Sequence, residues 1–271
     1  MDNRPVGVFD SGLGGLTAVR ELARLLPHES IVYFGDTGRV PYGSRSRETI
    51  LKYARQDVAF LSTFDLKAVV IACGTVSSTA LEPLIRESRV PVLGVVEPAA
   101  RRAAAVSASG RVGLIGTQAT IRTGAYERVM AAARPEIRVT ARACPLFVPL
   151  VEAGRFHPGD VVIETVVSEY LSPIRAAGVD TLVLGCTHYP LLAQVIGAFM
   201  GPEVALVDAG AEGARALART LADRDALAEK GRPGVCRYYV SDSTEGFAQL
   251  ASTFLGRDVN GLVEQIDITR Y

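Results

Sequence analysis

Two hydrophobic periods alternate along this chain. Short β-branched runs stand at Val6 to Phe9, Ile31 to Phe34, Ala68 to Ala72, Val92 to Val95, Arg111 to Ile115, Ile137 to Ala141, Thr181 to Leu184 and Val204 to Val207. Apolar runs of this length, bounded by turn residues, predict strands buried on both faces. Between them, stretches rich in Ala, Leu and Arg repeat at helical spacing and predict helices over Gly15 to Leu26, Arg47 to Phe64, Ser78 to Glu87, Pro98 to Ala108, Gly124 to Ala133, Gly159 to Ala177, Pro190 to Met200 and Ala211 to Leu227. Regular strand–helix alternation predicts an α/β fold with doubly wound, mainly parallel sheets. Val235 to Val240 and Gly261 to Ile266 predict late strands, with a turn over Glu229 to Gly234.

The pattern repeats weakly. Pro5-Val6-Gly7-Val8-Phe9-Asp10-Ser11 aligns with Arg111-Val112-Gly113-Leu114-Ile115-Gly116-Thr117, and Val70-Ile71-Ala72-Cys73-Gly74-Thr75 with Val183-Leu184-Gly185-Cys186-Thr187. The two offsets nearly agree, which predicts two similar α/β domains related by pseudo-twofold symmetry. The first is expected to take residues 1–97 and 208–271, and the second residues 98–207. Ligands bind beyond the carboxyl ends of open parallel sheets, so two such edges facing each other would form a cleft with one cysteine on each wall.

Charge and composition narrow the partner. The 271 residues carry 29 acidic and 29 basic side chains, and no basic stripe suggests nucleic acid or a membrane surface. No apolar run approaches the ~20 residues of a membrane span, and Met1-Asp2-Asn3-Arg4-Pro5 leads into the first strand without a cationic leader. The expectation is a soluble cytoplasmic protein acting on a small molecule, with its four cysteines reduced and free for chemistry.

Any single buried cysteine has core packing as its plain reading. Cys73 and Cys186 differ because each ends an apolar run just before an expected helix, where N–H groups and the helix dipole are expected to depress a thiol pKa. Cys144 and Cys236 keep the structural reading. A zinc site through Cys186 and His188 lacks further ligands at suitable spacing, since His28 and His157 lie in unrelated loops. A redox pair would place its cysteines close in sequence. Thiols on opposite walls suit proton removal from one face of a carbon and return to the other, which inverts a stereocentre.

Neighbouring groups fit that chemistry. In Asp10-Ser11-Gly12-Leu13-Gly14-Gly15 the glycines allow backbone to approach an anionic ligand, and Asp10 can hold an ammonium or orient a thiol; its alternative is a helix N-cap. The loop is neither a dinucleotide fingerprint, with Thr17 where the third glycine would fall, nor a Walker loop. His188 can tune or relay the proton of Cys186, or cap a helix. Tyr42 and Gly43 form either a ligand loop or an ordinary turn. Thr75, Thr117, Thr120 and Thr187 are strand-end hydroxyls with the same two readings.

Together these residues resemble the glutamate racemases of the cofactor-independent aspartate/glutamate racemase superfamily. The likeness runs from Val8-Phe9-Asp10-Ser11-Gly12-Leu13-Gly14-Gly15-Leu16-Thr17 through Pro41-Tyr42-Gly43 and Gly113-Leu114-Ile115-Gly116-Thr117 to Leu184-Gly185-Cys186-Thr187-His188-Tyr189-Pro190. It implies a homodimeric isomerase without cofactor or metal that supplies D-glutamate for peptidoglycan. Cys73 would act on D-glutamate and Cys186 on L-glutamate, with Asp10 and His188 as polar partners. Substrate contacts are implied for Ser11, Tyr42, Gly43, Thr75, Thr117, Thr120 and Thr187. Glu152 matches a family acidic residue near the site, its simpler reading being a solvated helix glutamate.

One position departs. The family usually reads Ala-Cys-Asn-Thr where this chain reads Ala72-Cys73-Gly74-Thr75, and losing a charge-assisted hydrogen bond costs about 1.5–3 kcal/mol. Gly74 therefore keeps open a racemase acting on aspartate or another amino acid, and a catalytically weakened member acting as a binding protein. No lysine among Lys52, Lys67 and Lys230 has a Schiff-base setting.

Overall fold

A computed structural model describes residues 1–259 and 261–271. Its strands in chain order are β1 (Val6–Asp10), β2 (Ile31–Gly35), β3 (Ala68–Ile71), β4 (Val92–Gly94), β5 (Arg111–Gly116), β6 (Arg138–Ala143), β7 (Thr181–Leu184), β8 (Ala205–Asp208), β9 (Cys236–Val240) and β10 (Val263–Gln265). They form a six-stranded sheet ordered β10-β9-β2-β1-β3-β4 and a four-stranded sheet ordered β6-β5-β7-β8. All the pairings are parallel. The run β2-β1-β3-β4 in one sheet and β6-β5-β7-β8 in the other have the same order, so the expected α/β architecture and its internal repeat are present.

Alternation along the strands explains why they read as continuous apolar runs. Val6, Val8, Ala68, Val70, Leu182 and Leu184 join one core cluster that reaches both sheets. Phe9, Val69 and Ile71 turn to a cluster on the other side of the first sheet, and Val112, Leu114 and Val183 to one on the other side of the second. With period 2 and helices on both faces, neither face of these strands meets water.

Most predicted helices form, with shifted ends. The expected Ser78–Glu87 helix is two helices, Gly74–Thr79 and Leu81–Glu87, so helix begins directly after Cys73. The expected Pro190–Met200 helix starts as a 3-10 turn, Tyr189–Leu192, before Ala193–Met200; Cys186 thus precedes a bend and a 3-10 turn rather than an α-helix. Helices over Gln118–Thr123, Phe147–Glu152 and Phe247–Leu255 were not expected. Among the described residues no helix is long and apolar enough to cross a membrane.

Candidate active site

Parallel register brings the first group of residues together. Phe9 of β1 lies opposite Ile71 of β3, so one strand continues into Asp10 and Ser11 while its neighbour continues into Cys73. The Cys73 thiol donates to Ser11 Oγ at 3.2 Å. On the second sheet Ile115 of β5 lies opposite Leu184 of β7, which places Thr117 beside the Cys186 segment. Both groups sit beyond strand carboxyl ends, and Ser11, Cys73, Thr117 and Cys186 line one cavity of about 360 Å³.

That cavity is lined by Ser11, Tyr42, Gly43, Cys73, Gly74 and Thr75 from one wall and by Thr117, Glu152, Cys186, Thr187 and His188 from the other. Asp10 and Thr120 are not in its lining and stand behind it. The walls touch: Thr75 and Thr117 hydroxyls lie 3.0 Å apart, and Thr17 donates to the Thr187 carbonyl at 2.9 Å; within the second wall the Thr117 and Thr120 hydroxyls lie 3.0 Å apart. Gly14 has no room for a side chain, because a Cβ there would run into the Thr187 hydroxyl and the His188 ring.

His188 links two acids. Its Nδ1 lies 3.9 Å from Cys186 Sγ, and its Nε2 lies 3.0 Å from Glu152 Oε1. The ring packs edge-on against Phe254 of the helix Phe247–Leu255 at 5.5 Å. His188 occupies the cap position of the 3-10 turn but makes no side-chain cap bond. Asp10 is not the cap residue of the first helix, which is Gly15 without a side-chain bond; its Oδ2 accepts from Gly12 N at 3.1 Å, and the Gly15 and Ser11 backbone N–H groups also favour its charged form.

The family model described as Asp/Glu/hydantoin racemase matches residues 15–217. The chain belongs to the Asp/Glu/hydantoin racemase family. It is 50% identical over 253 residues to a glutamate racemase of Geobacter metallireducens, an alignment covering 93% of each protein. The crystal structure of glutamate racemase isoform RacE1 from Bacillus anthracis superposes with a TM-score of 0.94 at 36% identity, covering 98% of both chains. A glutamate racemase from Francisella tularensis, solved in complex with D-glutamate, superposes with a TM-score of 0.91 at 35% identity, covering 100% of both chains.

In this racemase the protonation states follow burial more than helix polarity. Burial, and then the negative charge of Asp10, push the Cys73 thiol up to about 12, against smaller opposing hydrogen bonds from Ser11 and the Val76 backbone. The expected depression of this thiol by the helix start is therefore overturned: the Gly74–Thr79 helix contributes, but desolvation is larger. Burial pulls His188 down, but its contacts with Cys186 and then Glu152 outweigh that and raise it to about 10. Burial raises the Asp10 carboxyl, with His188 as the main opposing influence.

Two expectations change in this racemase. Glu152 is not a free helix glutamate, since its side chain is 37% exposed and bound to His188. Cys144, read as structural, is buried yet lines the cavity together with Pro145, Val148 and Pro149. The Tyr189 hydroxyl holds this loop by donating to the Cys144 carbonyl at 3.0 Å and the Gly116 carbonyl at 3.2 Å. The compact Cys144-Pro145-Leu146-Phe147-Val148-Pro149 stretch offered one signal, two prolines around a short apolar run.

Proposed function

We propose that the chain interconverts L- and D-glutamate by two-base proton transfer between Cys73 and Cys186. The observation that carries this reading is that both thiols line one cavity at facing sheet ends; the Francisella relative in complex with D-glutamate favours the substrate. In this reading residues 1–97 with 208–271 form one domain and residues 98–207 the other, and the cleft between them is the site.

From L-glutamate, the Cys186 thiolate takes the α-proton and becomes a thiol. The electron pair left on the α-carbon accepts a proton from the Cys73 thiol on the opposite face, leaving a Cys73 thiolate. The reverse direction exchanges the roles, so neither electrons nor net protons are consumed. Cys73, held high by burial and Asp10, rests as the proton donor this direction requires. His188, raised to about 10, stands as an imidazolium with Nδ1 3.9 Å from Cys186 Sγ, and Glu152 anchors it from the other side. Ser11 would receive the substrate ammonium with the Asp10 charge behind it, while Tyr42, Gly43, Gly74, Thr75, Thr117 and Thr187 would fix its carboxylates, Thr120 orienting Thr117 from behind. Exclusion of water by cleft closure strengthens each of these contacts.

The same family reading carries a homodimer in the cytoplasm that supplies D-glutamate for peptidoglycan; light scattering on the purified chain tests the dimer. The principal test follows circular dichroism of L- and D-glutamate in reducing buffer. Turnover in both directions is expected, and loss of racemisation in Cys73→Ser and in Cys186→Ser. A folded, reduced chain inert toward both isomers sinks the assignment.

A further inference from the structure

We infer that Gly74 is a positioning residue whose missing side chain sets how far the two walls of the cleft close. This deepens the racemase reading and rests on it for the kinetic arm of the test alone. A Cβ built on Gly74 would fall far inside the van der Waals contact distance of the Gly185 carbonyl oxygen. Its remaining neighbours are the Gly185 carbonyl carbon at 3.4 Å and Thr120 Oγ1 at 3.9 Å. All three atoms belong to the opposite wall, in the segments that follow β5 and β7. The nearest neighbours of a Cβ at residue 74 thus all lie across the cleft, and moving the walls apart relieves the collision.

The same seam continues on either side. Thr75 meets Thr117 hydroxyl to hydroxyl at 3.0 Å, and a Cβ on Gly43 would lie 2.9 Å from Thr117 Cβ. Cys73 directly precedes Gly74 and Cys186 directly follows Gly185, so the point of closest approach is one residue from each thiol. Whatever separates Gly74 from Gly185 separates the two thiols. Normal contact requires a displacement on the order of 1 Å, and misplacing reacting groups by that much costs up to ~100-fold in rate. A side chain at this position has no space while the walls stand this close, so main-chain contact joins them here.

The experiment compares the full-length parent with Gly74→Ala and Gly74→Asn in two arms. One arm measures iodoacetamide labelling of Cys73 and Cys186, resolved by peptide mass spectrometry at fixed pH. The other measures kcat and KM for L- and D-glutamate. Cys73 and Cys186 are 4% and 8% exposed in the parent, and both variants are expected to label several-fold faster with an unchanged thermal midpoint. A kcat lowered ten- to hundredfold is expected with a smaller change in KM, and Gly74→Asn is expected to be the poorer enzyme. Labelling at the parent rate, a kcat within twofold of the parent for Gly74→Ala, or a gain in kcat/KM for Gly74→Asn each overturns the inference. The labelling arm uses no substrate, so it decides the closure geometry even if glutamate proves not to be turned over.

Discussion

His188 carries the largest stake among single residues, because its charge depends on two contacts that can be removed separately. Its value in the folded chain is raised from 6.5 to about 10, so its stabilisation is complete below 6.5 and is lost as pH rises through about 10. His188→Asn is expected to flatten the fall in unfolding free energy over that window, as urea titrations at several pH values would show. Glu152→Gln keeps a hydrogen-bonding group but removes a charge; the His188 titration followed by NMR is expected to move down, with kcat lowered about tenfold as for a disturbed general acid–base partner. A titration midpoint unchanged by Glu152→Gln would assign the raised value to Cys186 alone. Cys73, Cys186, His188 and Asp10 could be picked out from the sequence because each adjoins a strand end or glycine loop. The protonation of Cys73 could not, since helix polarity is local and readable whereas desolvation depends on what the rest of the fold packs over the sulfur.

At the level of elements, the loop from Val40 to Ser44 is held from behind. The Tyr42 hydroxyl donates to Asp36 and, at 3.1 Å, to Asp57. Arg39 binds the same two carboxylates at 2.6 and 2.9 Å, Ser241 donates to Asp36 at 2.7 Å, and the guanidinium lies 4.3 Å from the centre of the Tyr53 ring. Asp36 and Asp57 are wholly buried, and burial followed by the charge of Asp36 raises the Asp57 carboxyl well above its usual range. Tyr42→Phe leaves buried acceptors short of a donor, at about 1–3 kcal/mol. In a chain this long each kcal/mol lowers the melting temperature by ~2–4 °C. Because the loop edges the cavity, KM for glutamate is expected to rise several-fold with kcat changed less, and equal changes in both would argue that the loop serves the chemical step instead. The glycine and tyrosine of this loop stood out as a turn, but the acids that hold it come from the β2 end and the helix Arg47–Leu61, and only the fold brings them together. The helix Phe247–Leu255, which supplies Phe254 to the back of His188, was missed because its apolar residues follow a strand and a Ser-rich turn without a strong cap.

For the molecule as a whole, the sheet order decides what must be finished before the site exists. The helix Ala209–Asp223 packs on both Leu16–Leu25 and Val96–Val106, so the returning chain touches the first helix and the segment between the sheets. The repeat predicted two similar, mainly parallel sheets, since strand periodicity and strand-end motifs are local; their shared order, β2-β1-β3-β4 and β6-β5-β7-β8, came only with the fold. The placement of β9 was not predicted, because nothing in Cys236–Val240 names its neighbour; it pairs with β2 over Ile31 to Gly35.

That pairing has a consequence for how the protein is made. Strand β2 leaves the ribosome some 200 residues ahead of its partner β9, and during synthesis its free edge is an open hydrogen-bonding row of the apolar sequence Ile31-Val32-Tyr33-Phe34. A nascent chain in that condition is a substrate for holding chaperones and a hazard for association with its own copies. A chain ended after Asp223 keeps every cavity-lining residue but leaves that edge open for good, and it is expected to appear in the insoluble fraction when the full chain is soluble, as centrifugation of cell extracts would report.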